Sequence, residues 1–259
     1  MPDLPKQPIG IIVGRIFYQG NDHPPVEYPV SAIHPVYNRY MPDALEIIRQ
    51  KLAHVRWMGG SPCAGKSTIA DALVERYGMR LYRCDDAFPL HTQRTNPHEQ
   101  PVFYRVMRLS CDGLWMRPVA QQVAEEIEIY QEEFPMILRD LLAMPVDMPI
   151  LAEGAALLPE LVAPWIDPAN PRQAVWLTPT AEFQRFHYAR RDWPRQVVRD
   201  CKDPDQAFGN WMERDVRFAE YVRSEANQRG WSALLVDGVS SIAENTAWVE
   251  IQLGLKQNL

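Results

Sequence analysis

The eight residues Gly60–Ser67, GSPCAGKS, constrain the fold of this 259-residue chain more than any other stretch. They fit the pattern G-x-x-x-x-G-K-[ST]. Before them stands HVRWMG, which has the pattern of a strand, and after them KSTIADALVERYG, which has the pattern of a helix that ends at Gly78. Two glycines let the backbone curl so that successive N–H groups point inward, and the next helix adds its positive N-terminus. The sequence therefore predicts an anion-binding loop between a strand and a helix.

The rest of the chain alternates between strands and helices in the same way. Further strands are predicted at MRLYRC, PILAEG, QAVWLT and SALLVDG, and helices over 119–143, from Thr180, over DPDQAFG to Gly230, and over 241–253. Such alternation predicts an α/β fold with a five-stranded parallel sheet covered on both faces. Pro135 is expected to kink the helix over 119–143 or to split it in two. In many folds of this kind the second strand lies next to the strand that precedes the glycine loop, and the same is expected here.

Polar residues follow several of these predicted strands. Parallel sheets bind ligands beyond the carboxyl ends of their strands, so residues at those ends are candidates for a shared site. They are the Gly60 loop, Asp85-Asp86, Glu153-Gly154, Thr178 and Asp237-Gly238.

Residues 1–52 differ from the main domain, which we place at 53–259. Eight of the 23 prolines lie between Pro2 and Pro42. IGIIVGRIFYQG has the pattern of a strand, and DALEIIRQKLA that of a helix with Asp43 as its N-cap. We interpret this part as a proline-rich N-terminal extension that packs on the main domain.

Composition narrows the possible partners and compartments. The net charge of −6 argues against nucleic acid as the main partner. The sequence contains no run of about 18 apolar residues, so no membrane span is expected. The four cysteines form no C-x-x-C pair and no cluster with zinc spacing, so we expect inert thiols in a reducing cytosol. The opening MPDLPKQPIG has no signal-peptide pattern. A cytoplasmic protein is expected.

The loop residues have the chemistry of a nucleoside triphosphate site with magnesium. Lys66 can reach the β- and γ-phosphates, and the hydroxyl group of Ser67 can bind Mg²⁺. We expect ATP and Mg²⁺ as cofactors. The residues predicted to hold the nucleotide are Gly60, Ser61, Cys63, Ala64, Gly65, Lys66, Ser67 and Thr68.

Two acidic sites favour phosphoryl transfer over nucleotide-driven mechanical work. Asp85 or Asp86, after the second strand, could take the proton of an attacking hydroxyl while the other holds substrate or a metal-bound water. Glu153, at the end of a buried strand, is predicted to support Mg²⁺ through water. The chain has neither the N-K-x-D tetrapeptide of GTPases nor an ABC-type signature.

The layout from Val55 to Leu253 resembles the small-molecule kinases of the P-loop superfamily. These include the nucleoside and nucleotide kinases and the group of chloramphenicol phosphotransferase, zeta-toxin-like kinases and 5′-polynucleotide kinases. YRCDDAF is similar to the strand-two R-x-D-D signature of that group, which implies that Asp85 is the general base. Phe88 stands where we associate an arginine with polynucleotide kinases, so the acceptor stays open. The resemblance implies a three-layer P-loop NTPase fold with a helical lid.

The resemblance also implies where the lid lies in the chain and where the acceptor binds. The lid is expected over about 185–225, where Arg190 or Arg191 would stabilise the transferring phosphoryl group and the other would pair with an acid such as Asp192 or Asp200. The stretch has almost as many acidic as basic residues, so some of its arginines must pair internally. The acceptor is expected against residues 87–118, which contain His91, Arg94, His98, Arg105 and Arg108.

These observations together predict an enzyme: a P-loop phosphotransferase, or kinase, with an alcohol group as acceptor. Its substrate would be a small molecule such as a nucleoside, a sugar or a similar metabolite. The alternative is a nucleotide-dependent switch or assembly ATPase that acts on a protein partner, with the proline-rich extension as its docking arm.

Overall fold

The computed structural model describes residues 42–168, 170 and 172–255. The strand expected at IGIIVGRIFYQG lies outside these residues. The strands are β1 (Val55–Gly60), β2 (Arg80–Arg83), β3 (Ile150–Glu153), β4 (Ala174–Pro179) and β5 (Ala233–Val236). The helices are α1 (Pro42–Lys51), α2 (Lys66–Tyr77), α3 (Cys84–Arg94), α4 (Pro101–Val106), α5 (Cys111–Trp115), α6 (Val119–Ala143), α7 (Pro159–Val162), α8 (Ala181–Ala189), α9 (Trp193–Val198), α10 (Pro204–Gln228) and α11 (Ile242–Gln252).

The strands form one parallel sheet in the order β2-β3-β1-β4-β5. This confirms the predicted α/β class and the five-stranded parallel sheet. The expectation that β2 lies beside β1 is wrong, because β3 pairs with both and lies between them. All five strands run the same way, so the residues that follow them gather at one edge.

Side chains alternate between the two faces of the sheet, as a pleated strand requires. In β1, Trp57 packs with α6 and α10 on one face, whereas its neighbour Met58 packs with α2 and α11 on the other. In β4, Trp176 and Leu177 divide in the same way. The sheet is therefore the middle of three layers.

The surroundings of Gly59 in β1 leave no room for a side chain. A Cβ there would lie 2.4 Å from both the carbonyl oxygen of Leu157 and Nε1 of Trp176. The indole of Trp176 donates a hydrogen bond of 2.8 Å to that carbonyl and fills the space. Only glycine lets β1 pass so close to this ring.

A separate buried cluster joins α5, α8, α9 and the start of α10. Its centre is Trp211, whose ring stacks on Trp115 at 4.8 Å between centroids. Cys111 and Cys201 form a disulfide beside it. The expectation of four unpaired thiols is wrong for this pair, because the fold brings together cysteines that are 90 residues apart in sequence. Cys63 and Cys84 carry free thiols.

Several element boundaries differ from the expected ones. Helix α1 begins at Pro42, one residue before the expected cap Asp43. Strand β2 ends at Arg83, so Asp85 and Asp86 lie in the first turn of α3 rather than at a strand end. Helix α6 is one helix with Pro135 inside it, and the predicted split does not occur. Its buried face, packed on the sheet, keeps it together on both sides of the proline.

Within the described residues, no helix combines the length and the apolar character needed to cross a membrane.

Candidate functional site

In the glycine loop (residues Gly60–Ser67), both glycines have backbone conformations that favour glycine. Gly60 has φ of 124°, and a Cβ on it would lie 1.9 Å from the carbonyl oxygen of Leu177 in β4. Gly65 has φ of 80° and is the N-cap of α2. No side chain caps this helix, so its first N–H groups keep their capacity to bind an anion.

Cys63 also has a left-handed conformation, with φ of 69°, which is rare for a residue with a side chain. Burial raises the pKa of its thiol, and the nearby cations Arg191 and Lys66 oppose that effect. A thiol with a raised pKa is a poor nucleophile at neutral pH, so Cys63 fits the passive role expected for a loop residue.

Lys66 and Ser67, the first two residues of α2, form hydrogen bonds with different partners. The ammonium group of Lys66 is buried and donates a hydrogen bond of 2.7 Å to the carbonyl oxygen of Ser61. Burial lowers the pKa of Lys66, and the carboxylates of Glu153 and Asp85 oppose this. The Ser67 hydroxyl donates a hydrogen bond of 3.0 Å to Oε1 of Glu153.

Ser67 and Glu153 together offer the hydroxyl and carboxylate oxygens that Mg²⁺ prefers. Magnesium usually takes one or two protein oxygens and keeps several waters or phosphate oxygens. The described residues contain no group of three or more His, Cys, Asp or Glu side chains suited to a metal ion. A site made of these two side chains plus phosphate fits Mg²⁺ and does not fit a metal that needs a full protein cage.

A cavity of about 170 Å³, which we call the loop cavity, lies over these groups. One water needs about 10–15 Å³ on this measure, so the cavity has room for a much larger polar group. Most of the predicted site residues line it: Cys63, Ala64, Gly65, Lys66, Ser67, Thr68, Asp85, Glu153 and Arg191. Pro62, within the glycine loop, and Gly154, a strand-end candidate, also line it, and two lining residues were not foreseen: Ala155 and Tyr188. Gly60 and Ser61 shape the loop without lining the cavity.

The two adjacent carboxylates of α3 point to different places. Asp85 lines the loop cavity, whereas the side chain of Asp86 is 59% exposed and lies 3.9 Å from the guanidinium group of Arg83. Successive residues of a helix point about 100° apart, which separates the pair. Asp85 is thus the one placed opposite the glycine loop.

Arg190 and Arg191 also separate. Arg191 lines the loop cavity, while the guanidinium carbon of Arg190 lies 3.3 Å from the ring centroid of Phe186. The acid partner expected for one of the two is replaced by this aromatic contact. Among the neighbouring arginines, each has an acid within reach: Arg185 with Glu213, Arg195 with Asp205 and Arg199 with Asp200.

The expected acceptor region, 87–118, contains side chains with structural roles. Phe88 is buried and packs on Phe103 at 5.0 Å between ring centroids. His91 is fully buried, with Nδ1 2.9 Å from Glu133 and Nε2 3.0 Å from Asp140. Neither residue lines the loop cavity, so an acceptor there does not meet them.

Comparison with known proteins adds little to this geometry. No protein-family model matches the sequence, and no curated protein matches it. Among solved structures, the chain is similar to the crystal structure of an uncharacterized protein from Eubacterium ventriosum, with 12% identity and a TM-score of 0.34. The match covers 78% of this chain and 98% of the other. At that TM-score the similarity carries no argument about function.

Proposed function

We propose that this protein is a P-loop phosphotransferase that moves the terminal phosphoryl group of ATP to a hydroxyl group of a small molecule, with Mg²⁺. One observation carries the proposal: Asp85 lines the same cavity as the start of α2, with its lysine and serine. A carboxylate opposite an anion-binding loop is what a kinase needs in order to activate a hydroxyl. A loop that only binds a nucleotide does not require it.

The charged residues that line the cavity, Ser67 and the backbone of the glycine loop each have a role in the proposal. The N–H groups of the glycine loop and Lys66 bind phosphate oxygens, and Ser67 and Glu153 hold the metal. The metal and the nucleotide would supply charge neutralisation and the phosphoryl group. Asp85 accepts the proton of the acceptor hydroxyl, and Arg191 stabilises charge on the moving group. This chemistry depends mainly on positioning and charge.

The surface beside the glycine loop supports a nucleoside as part of the donor. Cδ1 of Ile242 lies 3.2 Å from the place a Cβ on Gly65 would take, and this side chain is 46% exposed. Phe183 approaches the backbone of Gly238 so closely that a Cβ there would lie 2.9 Å from its ring. Ile242 is thus an exposed apolar group next to the glycine loop, which suits contact with the flat face of a nucleobase.

The proposed acceptor is a small metabolite such as a nucleoside or a sugar. We place the enzyme in the cytoplasm, where ATP is supplied. The disulfide between Cys111 and Cys201 argues in the other direction, because such bonds are rare in a reducing compartment. Alkylating free thiols during isolation and mapping them by mass spectrometry would decide between the two compartments.

The test is a screen of hydroxyl compounds with terminally labelled ATP and Mg²⁺. A kinase is expected to transfer label to at least one compound much faster than it releases inorganic phosphate. Asp85→Asn should lower the transfer by about 10²-fold or more, and Asp86→Asn serves as the matched control. Phosphate release that no hydroxyl compound outcompetes, and that responds to a protein partner, would favour the switch or assembly ATPase instead. Failure to bind ATP would contradict both.

A further inference from the structure

The disulfide between Cys111 and Cys201 ties a segment that reaches the loop cavity to helix α5. Cys111 is the first residue of α5. Cys201 is the last residue of the arginine segment, our name for residues 190–201, which follow α8 and contain α9. The second residue of this segment is Arg191, which lines the loop cavity. The bond thus fixes one end of a segment whose other end reaches the cavity.

The position of Arg191 depends on the path of the segment. Its backbone N–H donates a hydrogen bond of 3.1 Å to the carbonyl oxygen of Tyr188, and its guanidinium carbon lies 5.5 Å from the centroid of the Tyr188 ring. Both contacts are with a residue only three positions earlier, at the end of α8, and the Arg191 residue itself is exposed. A movement of the segment therefore moves the guanidinium group relative to the glycine loop.

Aromatic packing holds the segment where α9 begins. The ring of Trp193 lies 5.8 Å from that of Tyr188 and 5.6 Å from that of Trp211, between centroids. An ion pair joins Arg195 to Asp205, but these side chains are 57% and 89% exposed, and ion pairs in solvent contribute little to stability. The end of the segment therefore needs an anchor of its own.

Two contacts anchor that end to α5. One is the disulfide. The other is a hydrogen bond of 2.8 Å, which the backbone N–H of Lys202 donates to Asp112, the residue after Cys111. This hydrogen bond is exposed, so water competes for both of its partners. The covalent bond is the stronger anchor of the two.

The disulfide and the loop cavity border the same buried cluster. Tyr188 and Cys201 are buried in the cluster centred on Trp211, and Cys63 and Cys111 pack against it. Tyr188 and Cys63 also line the loop cavity. Close-packed side chains transmit a displacement because little empty space remains to absorb it. Release of the bond is therefore expected to reach the groups that surround the cavity.

The bond can be opened from the side of Cys111, which is half-buried, whereas Cys201 is only 6% exposed. A thiolate of a dithiol reductant attacks Sγ of Cys111, which forms a mixed disulfide and releases Cys201 as a thiolate that takes up a proton. The second thiol of the reductant then displaces Cys111 as a thiol, so that two electrons pass to the protein and the reductant leaves as a disulfide. A disulfide oxidant reverses both steps.

We propose that the Cys111–Cys201 bond is a site of reversible thiol–disulfide exchange with dithiol reductants, and that the bonded form holds Arg191 at the loop cavity while the reduced form releases it. The effect on turnover rests on the proposed kinase function, and the effect on the arginine segment does not. Disulfides that do occur in a reducing cytosol are usually transient or redox-sensing, so a reversible bond also fits the proposed cytoplasmic location.

The first experiment compares turnover of the oxidised wild-type protein with that of the protein reduced by dithiothreitol. Reduction should lower kcat at least about fivefold, because a misplaced catalytic group loses much of its effect, and should change the KM for ATP less. Oxidised glutathione should restore kcat. Arg191→Ala should not respond to reduction, because the group that the bond positions is missing. Arg190→Ala, the matched control, should respond as the wild type does.

The second experiment needs no phosphoryl transfer. Hydrogen exchange is measured by mass spectrometry with labelling too brief for the strand amides to exchange. Amides of residues 190–201 should exchange faster after reduction and recover after reoxidation. A Cys111→Ser, Cys201→Ser double variant should match the reduced wild type in both experiments. If this variant does not fold, the comparison of the two redox states of the wild type is sufficient.

The outcomes separate this inference from the kinase proposal. If no hydroxyl compound is phosphorylated while exchange in residues 190–201 rises and recovers as described, the kinase proposal fails and the redox site stands. Three results would overturn the redox site: a bond that dithiothreitol does not reduce in the folded protein, equal kcat or equal exchange in the two redox states, or strand amides that exchange as fast as those of the segment. The last result would mean that the bond is needed for the whole fold.

Discussion

Nζ of Lys66 donates a hydrogen bond of 2.7 Å to the carbonyl oxygen of Ser61, five residues earlier in the chain. This contact holds the ammonium group over the glycine loop. An ammonium group has three N–H donors, so two remain for other acceptors in the loop cavity. The lysine is thus held in position above the N–H groups of the loop.

Lys66→Ala should weaken binding of a fluorescent ATP analogue by more than about tenfold, because a charge-assisted hydrogen bond contributes about 1.5–3 kcal/mol. Turnover should fall with it. Circular dichroism should match the wild type. Lys51→Ala, on an exposed position of α1, is the control. Wild-type affinity in a folded Lys66→Ala protein would refute the nucleotide site.

Asp85→Asn should lower phosphoryl transfer by about 10²-fold or more, the usual contribution of a general base, with little change in ATP affinity. Asp86→Asn should stay near wild type, because its carboxylate is exposed and lies beside Arg83. Single-turnover kinetics with a known acceptor separate the two effects. Loss of transfer only in Asp86→Asn would exchange the two roles.

Arg191→Ala should cut turnover by more than tenfold with a smaller effect on ATP affinity, since a guanidinium group can bind two phosphate oxygens as charge moves. Arg190→Ala should retain turnover, because its guanidinium group lies over Phe186. Steady-state kinetics on both variants test the difference. Near-wild-type turnover in both variants would assign the stabilisation of the transferring phosphoryl group to another arginine of α8 or α9.

The stability of the protein should depend on pH through His91. Burial disfavours a charged ring, but hydrogen bonds to Asp140 and Glu133 outweigh it and raise the pKa of His91 to about 9. Burial also raises the pKa of Glu133. A group whose pKa is raised in the folded state contributes its full stabilisation below its unfolded pKa, which is about 6.5 for histidine. This contribution is lost as the pH rises towards 9, so the free energy of unfolding should fall by about 1–3 kcal/mol. Urea unfolding at pH 6 and pH 9 measures it. His91→Gln should flatten the difference, and a wild-type protein equally stable at both values would contradict the prediction.

Reduction of the Cys111–Cys201 disulfide should lower the free energy of unfolding by up to about 4–5 kcal/mol, because the bond closes a loop of about 90 residues. Thermal unfolding with and without a phosphine reductant tests this. A Cys111→Ser, Cys201→Ser double variant should be insensitive to the reductant. If that variant still responds, Cys63 or Cys84 must be responsible.

The local part of the site could be predicted from sequence because its signals are local. The glycine loop, Lys66 and Ser67 are adjacent in the chain, and the hydrophobic pattern identifies the strand and helix around them. Strand ends of a parallel sheet meet at one edge, which brought Asp85 and Glu153 into the prediction. The choice of Arg191 over Arg190 needed the end of α8, where a shift of one residue turns a side chain by about 100°.

Contacts between distant residues could not be predicted in this way. Strand order depends on which crossover packs best on the sheet, and nothing within β2 indicates that β3 separates it from β1. The buried ion pairs of Arg214 were also missed, because charged residues in a helix usually face water. The same holds for Cys111 and Cys201, whose pairing depends on how α5 and α9 pack together.

Gly154 and Cys84 touch so closely that they set the spacing of the proposed general base and metal ligand. A Cβ on Gly154 would lie 2.5 Å from Cβ and 2.6 Å from Sγ of Cys84. The next residue after Cys84 is Asp85, and the residue before Gly154 is Glu153. Any larger side chain at either position must push these carboxylates apart. Among related sequences, small residues at both positions would therefore mark chains that keep the proposed arrangement of carboxylates, and a bulky residue at either would mark one that has lost it.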